Sequence, residues 1–146
     1  MGNAADYFTD EQQLLLKNAI ARAEKHTSGE IRIFIDSKIK SEIIDRAAEV
    51  FENLKMHETK LHNGVLIYVA IENRQFAIIG DSGIHEFVSQ VFWDKVKEEM
   101  IPFFKRKDYT GGLLHAIEET GQKLKKHFPV AKNDSDELSN EMVFGD

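Results

Sequence analysis

The chain has 146 residues, a formal net charge of −6 and no cysteine. This length is typical of one domain, and the lack of cysteine excludes disulfides, thiol catalysis and cysteine-ligated metal centres. The acidic balance argues against nucleic-acid binding, since such proteins concentrate Lys and Arg on one face. Residues 1–10 show no signal-peptide pattern, and the longest apolar run, Val65 to Ile71, is too short to span a membrane. We therefore expect a cytoplasmic monomer that binds neither nucleic acid nor membrane.

The first third of the chain predicts a helix, a strand and a second helix. A capping box beginning at Thr9 starts a helix that runs from about residue 10 to 25. Apolar and polar residues then alternate over 31–35 with the period of a strand. Ser41 is the expected cap of the second helix, which ends near Lys55.

The middle of the chain predicts a hairpin followed by a third helix. Residues 64–70 are continuously apolar and rich in β-branched side chains, which is typical of a strand covered on both faces. A short polar turn leads to a second run over 75–79, so the two strands should pair in antiparallel fashion. From His85 the apolar spacing predicts a helix that Pro102 should end or kink.

The last helix should open at Asp108 and close before Pro129. We expect an α/β fold, an αβα sandwich whose small mixed sheet of three to four strands is covered by helices on both faces. Residues 1–130 form this domain, and 131–146 form an acidic tail with a short edge strand at 142–144. The order of the strands stays open.

One edge of this sheet collects acidic side chains. A right-handed parallel crossover between the first two strands places the start of the first strand and the loops 57–63 and 80–86 together. Hard divalent cations, calcium above all, take oxygen ligands from such loops. The candidate metal ligands are Asp81, Glu30, Gly83, Glu58 and Glu86, with Asp134 and Asp136 of the tail within reach.

A simpler interpretation of the same edge is that Asp81 and Ser82 only cap the third helix. No contiguous loop follows the calcium-binding spacing of an EF-hand. The six histidines form no i, i+4 pair, which argues against a zinc-protease type of site. His57 and His85 lie on the acidic edge, where a solvated role is the more usual one.

Four segments of the chain resemble the TPM domain, and the resemblance runs from about Tyr7 to Phe128. The segments are Ser28-Gly29-Glu30-Ile31, Asn63 to Ala70, Arg74 to Ile84, and Asp108 to Leu113. The family includes thylakoid-lumen proteins of photosystem II repair and an auxiliary protein of nicotinic receptors. The resemblance implies an αβα sandwich and, because some members bind divalent ions between loops at the sheet edge, a comparable site near Asp81. The chain looks like a stand-alone version of the domain.

Three functions follow as hypotheses. The first is a divalent-metal-binding module, with calcium the expected ion, in which the metal ties loops at the sheet edge and serves a regulatory or interaction role. The second is a metal-dependent acid-phosphatase-like hydrolase, implied by the resemblance alone, for which Arg32 and Arg74 are the nearest phosphate-binding candidates. The third is a metal-independent protein-interaction domain with an unidentified partner. The aromatic residues around Trp93 have ordinary core spacing.

Overall fold

The computed structural model describes residues 3–130 and 142–145, which contain a four-stranded mixed sheet in the order β3-β2-β1-β4. Its strands are β1 (Glu30–Asp36), β2 (Gly64–Ala70), β3 (Gln75–Gly80) and β4 (Met142–Phe144). Strand β1 runs parallel to β2 and to β4, whereas β3 is antiparallel to β2. The predicted hairpin, the parallel crossover and the short edge strand at the carboxyl end are all confirmed.

Within residues 3–130 and 142–145, five helices accompany the sheet, with two short 3₁₀ turns at Ala4–Tyr7 and Met56–Glu58. The helices are α1 (Asp10–Glu24), α2 (Ile43–Asn53), α3 (Ser82–His85), α4 (Gln90–Lys105) and α5 (Tyr109–His127). None of the helices within the described residues has the length and apolar character needed to cross a membrane.

The sheet separates two hydrophobic layers. On one face, Ile31, Ile33 and Ile35 of β1 pack with buried residues of α1, α4 and α5, among them Trp93. On the other face, Leu66 and Tyr68 of β2 pack with buried residues of α2. Because β2 faces both layers, all seven of its residues are buried, as its continuous apolar sequence indicated. The αβα sandwich is therefore confirmed.

The two predicted helix caps in the first third of the chain have different outcomes. The capping box of α1 is confirmed, since the Thr9 hydroxyl accepts from the Gln12 backbone N–H at 3.0 Å and the Gln12 side chain accepts from the Thr9 N–H at 2.9 Å. The cap at Ser41 is wrong. Helix α2 begins at Ile43 after Glu42, whose side chain makes no capping hydrogen bond.

The predicted third helix is two helices, and this prediction was wrong in its bounds. Asp81 caps the single turn of α3, and the backbone N–H groups of Phe87 and Val88 both donate to the carbonyl of Ile84, which closes that turn. Ser89 is extended, and α4 begins at Gln90. Pro102 does not end α4, which continues to Lys105; the missing N–H of proline removes one hydrogen bond, to the carbonyl four residues earlier.

Candidate functional site

The predicted acidic edge of the sheet exists in the structure. Glu30 at the start of β1 pairs with Gly64 at the start of β2, and Gly80 at the end of β3 pairs with Val65. The N–H of Asp81 donates to the carbonyl of Gly64 at 2.9 Å. The end of α5 joins them, since the Ser28 N–H donates to the Phe128 carbonyl at 2.9 Å. We refer to residues 61–64 and 80–87 together as the Asp81 edge.

The carboxylate of Asp81 has two roles at this edge. Its Oδ1 accepts from the N–H of Ser82 at 2.8 Å, so the capping interpretation holds. Its Oδ2 lies 3.3 Å from Nδ1 of His62, a histidine exposed to solvent. Only 12% of the Asp81 side chain is exposed. The carboxylate is thus largely desolvated, and its ionic contact is with a side chain that carries a charge only when protonated.

Gly83 lets two backbone segments of the Asp81 edge approach each other closely. Its N–H donates to the His62 carbonyl at 2.9 Å. A Cβ at position 83 would lie 2.2 Å from the Leu61 carbonyl oxygen and 2.7 Å from that of His62, which is closer than any side chain allows. Glycine is therefore required here, and it keeps two carbonyl oxygens next to the turn that carries Asp81.

An open groove of about 400 Å³ runs along the Asp81 edge. His62, Ser82 and Glu86 give it polar walls, and Leu61 and Phe87 add two apolar side chains that are half exposed. The ring of Phe87 packs against the rings of His127 and Phe128, with a centroid distance of 5.4 Å to each. The groove therefore combines acidic, imidazole and apolar groups.

Asn63 has a buried side-chain oxygen for which the described part of the chain offers no hydrogen-bond donor. Its side-chain Nδ2 donates to the Ser28 hydroxyl at 3.2 Å, and its backbone N–H donates to the Thr59 hydroxyl at 3.1 Å. The residue is 1% exposed, and its Oδ1 has no hydrogen-bond partner among the described residues. Buried polar atoms without a partner are uncommon and call for an explanation such as an ion or a water molecule. An unsatisfied amide oxygen suits a hard cation.

The other predicted ligands are spread around the Asp81 edge rather than gathered. Glu86 is exposed and lines the groove, and Glu58 is exposed in the second 3₁₀ turn. Glu30 is 2% exposed at the start of β1. His57 and His85 are exposed. Asp134 and Asp136 lie outside the described residues.

A second group of metal-ligating side chains lies between α4 and α5, and sequence reasoning missed it. The side chains of Glu99, His115 and Glu119 each offer a ligand atom, and these atoms lie within 4.8 Å of one another. In the described part of the chain this is the one such set of three. The spacing of His115 and Glu119, four residues apart on one helix, was visible in the sequence, but a search for paired histidines overlooks it. We refer to these three residues as the helix triad.

The opposite edge of the sheet holds a buried carboxylate that already has its partners. Asp36, at the end of β1, accepts hydrogen bonds from the Tyr68 hydroxyl and, at 2.9 Å, from Nε of Arg46. The hydrogen bond to Asp36 raises the pKa of Arg46, and burial followed by the same carboxylate raises the pKa of Tyr68. A carboxylate neutralised in this way has little to gain from a cation. Arg74 also lies at this end of the strands, in the β2–β3 turn. Asp81 follows the opposite end of β3, where Gly80 pairs with Val65.

The TPM domain family model matches residues 2–123 of the chain. The NMR structure of BA42, from the psychrophilic bacterium Bizionia argentinensis, is 46% identical, covers 94% of this chain and 95% of its own, and has a TM-score of 0.88. No protein with a curated description matches.

Two more distant structures share the fold. The N-terminal domain of a protein from P. gingivalis is 16% identical, with a TM-score of 0.72 over 85% of this chain and 80% of its own. The N-terminal domain of the cg2496 protein from Corynebacterium glutamicum is 13% identical, with a TM-score of 0.63 over 93% and 80%. At these identities the likeness concerns the fold alone.

Proposed function

The chain belongs to the TPM domain family, and from this premise we propose that it binds a divalent cation, Ca²⁺ in the first place, at the Asp81 edge. The observation that carries the proposal is the carboxylate of Asp81. It is 12% exposed, it is oriented by the Ser82 N–H, and its second oxygen faces an exposed imidazole rather than a Lys or Arg. A cation would compensate this desolvated charge.

The donors that this part of the chain offers are those that a hard ion prefers. Asp81 has a carboxylate, the Leu61 carbonyl oxygen lies against Gly83, and Asn63, next to the start of β2, has a buried amide oxygen with no partner among the described residues. Calcium takes six to eight oxygen ligands in flexible geometry and accepts water in the remaining positions. The exposed carboxylate of Glu86 lies on the wall of the same groove and offers a further oxygen.

The consequence of binding would be local order. The Asp81 edge consists of loops and one short helical turn, and such segments are the least stable parts of a fold. An ion that joins Asp81 to the loop before β2 would fix the groove that Leu61 and Phe87 line. The cation would then control a partly apolar surface, which fits a regulatory or interaction role.

The same groove supports a metal-independent interaction domain as the second candidate. Two apolar side chains of its wall, Leu61 and Phe87, are half exposed, and exposed apolar patches mark binding surfaces. The aromatic Trp93 offers no such surface, because it is 2% exposed. The two arginines named for the phosphatase hypothesis do not meet at Asp81, since Arg74 lies in the β2–β3 turn, at the opposite end of these strands, and Arg32 pairs with Leu66 within the sheet.

Calorimetric titration of chelator-treated protein with Ca²⁺ and Mg²⁺ tests the proposal. Asp81→Asn is the informative variant, because asparagine caps a helix about as well as aspartate but carries no charge. Asp94→Asn is the matched control, since the partners of this exposed aspartate among the described residues, Gln90 and Lys97, lie on its own helix α4. We expect saturable Ca²⁺ binding that Asp81→Asn weakens at least tenfold and Asp94→Asn leaves unchanged. Equal binding by both variants would contradict the proposal.

We also propose that the protein acts as a monomer in the cytoplasm. Analytical ultracentrifugation at micromolar concentration, with and without Ca²⁺, should give the mass of one chain. Fractionation of cells should recover the protein with cytoplasmic markers. A dimer mass would contradict the monomer, and recovery with the markers of another compartment would contradict the cytoplasmic location.

A further inference from the structure

We propose that the helix triad of Glu99, His115 and Glu119 is a second metal site, selective for a divalent first-row transition ion such as Zn²⁺. The three ligand atoms lie within 4.8 Å of one another. The site lies between α4 and α5, and none of its residues belongs to the Asp81 edge. It combines one imidazole with two carboxylates.

The helical hairpin explains why these three residues meet. Helix α4 ends at Lys105 and α5 begins at Tyr109, so the short connection makes the helices antiparallel neighbours. Glu99 precedes Lys107 by eight residues and His115 follows it by eight, which places the two side chains at the same level of the hairpin. Glu119 is one turn beyond His115 on the same face of α5. The backbone of two packed helices therefore sets the position of all three ligands.

The imidazole of His115 is already held in place for binding. Its Nε2 lies 2.8 Å from Oε1 of Glu99, and the ring of Phe103 stacks against it with centroids 6.2 Å apart and an angle of 23° between the planes. The side chains of Glu99 and His115 are 36% and 28% exposed. The site is thus open to ions from solution, while its ligands have lost part of their freedom and hydration, which lowers the cost of binding.

The donor set favours a transition ion over calcium. Zinc binds imidazole nitrogen and carboxylate oxygen at about 2.0–2.2 Å, which puts tetrahedral ligand atoms about 3.3 Å apart. In the helix triad this requires Glu99 and His115 to separate slightly from 2.8 Å, and no pair of the three ligand atoms is further apart than 4.8 Å before the ion binds. Calcium takes oxygen ligands in larger number. Three protein ligands leave a fourth position for water, and the ion would replace the proton between His115 and Glu99.

Titration of the metal-free protein with Co²⁺ and Zn²⁺ tests this site. Co²⁺ gives visible absorption bands that report imidazole and carboxylate coordination, and Zn²⁺ competes for the same site. The test variants are His115→Gln and Glu119→Gln, and the matched control is Glu118→Gln, which removes the same charge from the adjacent exposed position. Circular dichroism checks that each variant is folded.

We expect one equivalent of Zn²⁺ to bind the wild type and Glu118→Gln equally, with at least tenfold weaker binding by both test variants. Binding that survives His115→Gln would show an ion held at other surface histidines and would overturn the proposal. So would a folded wild type that gives no saturable Co²⁺ spectrum. The outcome is independent of the proposed Ca²⁺ function, because Asp81→Asn should leave the Co²⁺ spectrum unchanged.

Discussion

The Asp81 edge and the helix triad show two ways in which one small domain can present metal-binding groups. At the Asp81 edge the donors are mostly oxygens, they come from loops and one short turn, and no three acidic or imidazole side chains converge there among the described residues. In the helix triad an imidazole and two carboxylates converge on two long, packed helices. The first arrangement can change shape when an ion binds, whereas the second is nearly formed beforehand.

The rigidity of each site determines which ion suits it and how binding would affect the structure. A hard ion with many oxygen ligands suits loops that can rearrange around it. An ion that prefers few ligands in fixed geometry suits a rigid helix pair. We therefore expect Ca²⁺ to alter the order of the groove at the Asp81 edge and Zn²⁺ to fasten α4 to α5 without reshaping them.

The largest effect should come from Gly83→Ala. The added Cβ would meet the carbonyl oxygens of Leu61 and His62, so the backbone of the Asp81 edge must move, at a cost of about 3 kcal/mol in the free energy of unfolding. Ca²⁺ binding should weaken with it, while Zn²⁺ binding to the helix triad persists. Ser82→Ala is the control, since it places alanine in the same turn without the clash.

Urea unfolding and metal titration of both variants provide the measurement. If Gly83→Ala were as stable as Ser82→Ala and bound Ca²⁺ normally, the close approach at position 83 would have no part in the site. If Gly83→Ala lost Zn²⁺ binding while still folded, the two regions would be coupled rather than separate.

Asp36→Asn should cost about 2 kcal/mol in the free energy of unfolding, because a buried carboxylate that accepts from Arg46 and Tyr68 loses its charge. It should leave both metal titrations unchanged, since Asp36 lies at the opposite edge of the sheet and is already neutralised. Chemical denaturation and calorimetry measure the two effects. A tenfold loss of Ca²⁺ affinity in Asp36→Asn would indicate that Ca²⁺ binds near Asp36 rather than at the Asp81 edge.

Tyr68→Phe should cost about 1 kcal/mol near neutral pH through the lost hydrogen bond to Asp36. Burial and this hydrogen bond raise the pKa of Tyr68 above its ordinary value of 10.0. The folded protein therefore keeps the phenolic proton when the unfolded chain releases it, and the wild type loses stability above about pH 10. The advantage over Tyr68→Phe should shrink between pH 9 and pH 11 in urea unfolding. A constant difference across this range would contradict the assigned cause.

The smallest effect should come from Glu58→Gln. Glu58 is exposed in the second 3₁₀ turn, outside the groove, so its replacement should change the free energy of unfolding by less than about 0.5 kcal/mol and the Ca²⁺ affinity by less than twofold. Calorimetry under the conditions used for Asp81→Asn is the measurement. A larger loss of affinity would extend the site beyond the groove to the second 3₁₀ turn.

Local patterns predicted most of the fold, and packing between distant segments determined the rest. The continuous apolar run of β2 and the capping box at Thr9 are patterns of residues close together in the sequence, so the strand and the helix could be predicted from them. The break between α3 and α4 depends on two N–H groups that turn back to the Ile84 carbonyl, which the helical spacing of apolar residues cannot reveal. The rule that proline ends or kinks a helix interior likewise could not predict that α4 continues past Pro102 to Lys105.

The candidate sites divide in the same way. The Asp81 edge followed from topology, because a parallel crossover and a hairpin place Glu30, Gly64 and Asp81 at one end of the sheet. The helix triad needed the relative rotation of two helices, which joins Glu99 to His115 across sixteen positions of sequence. Asp36 likewise acquires its role from partners on β2 and α2.

Amide NMR of metal-free protein, titrated first with Ca²⁺ and then with Zn²⁺ in the same sample, distinguishes two separate metal sites from one. We expect Ca²⁺ to shift the amide signals of residues 61–64 and 80–87, and Zn²⁺ then to shift a separate set around Glu99, His115 and Glu119. Two ions that shift the same amide signals, or a protein that responds to neither ion, would contradict the presence of two sites.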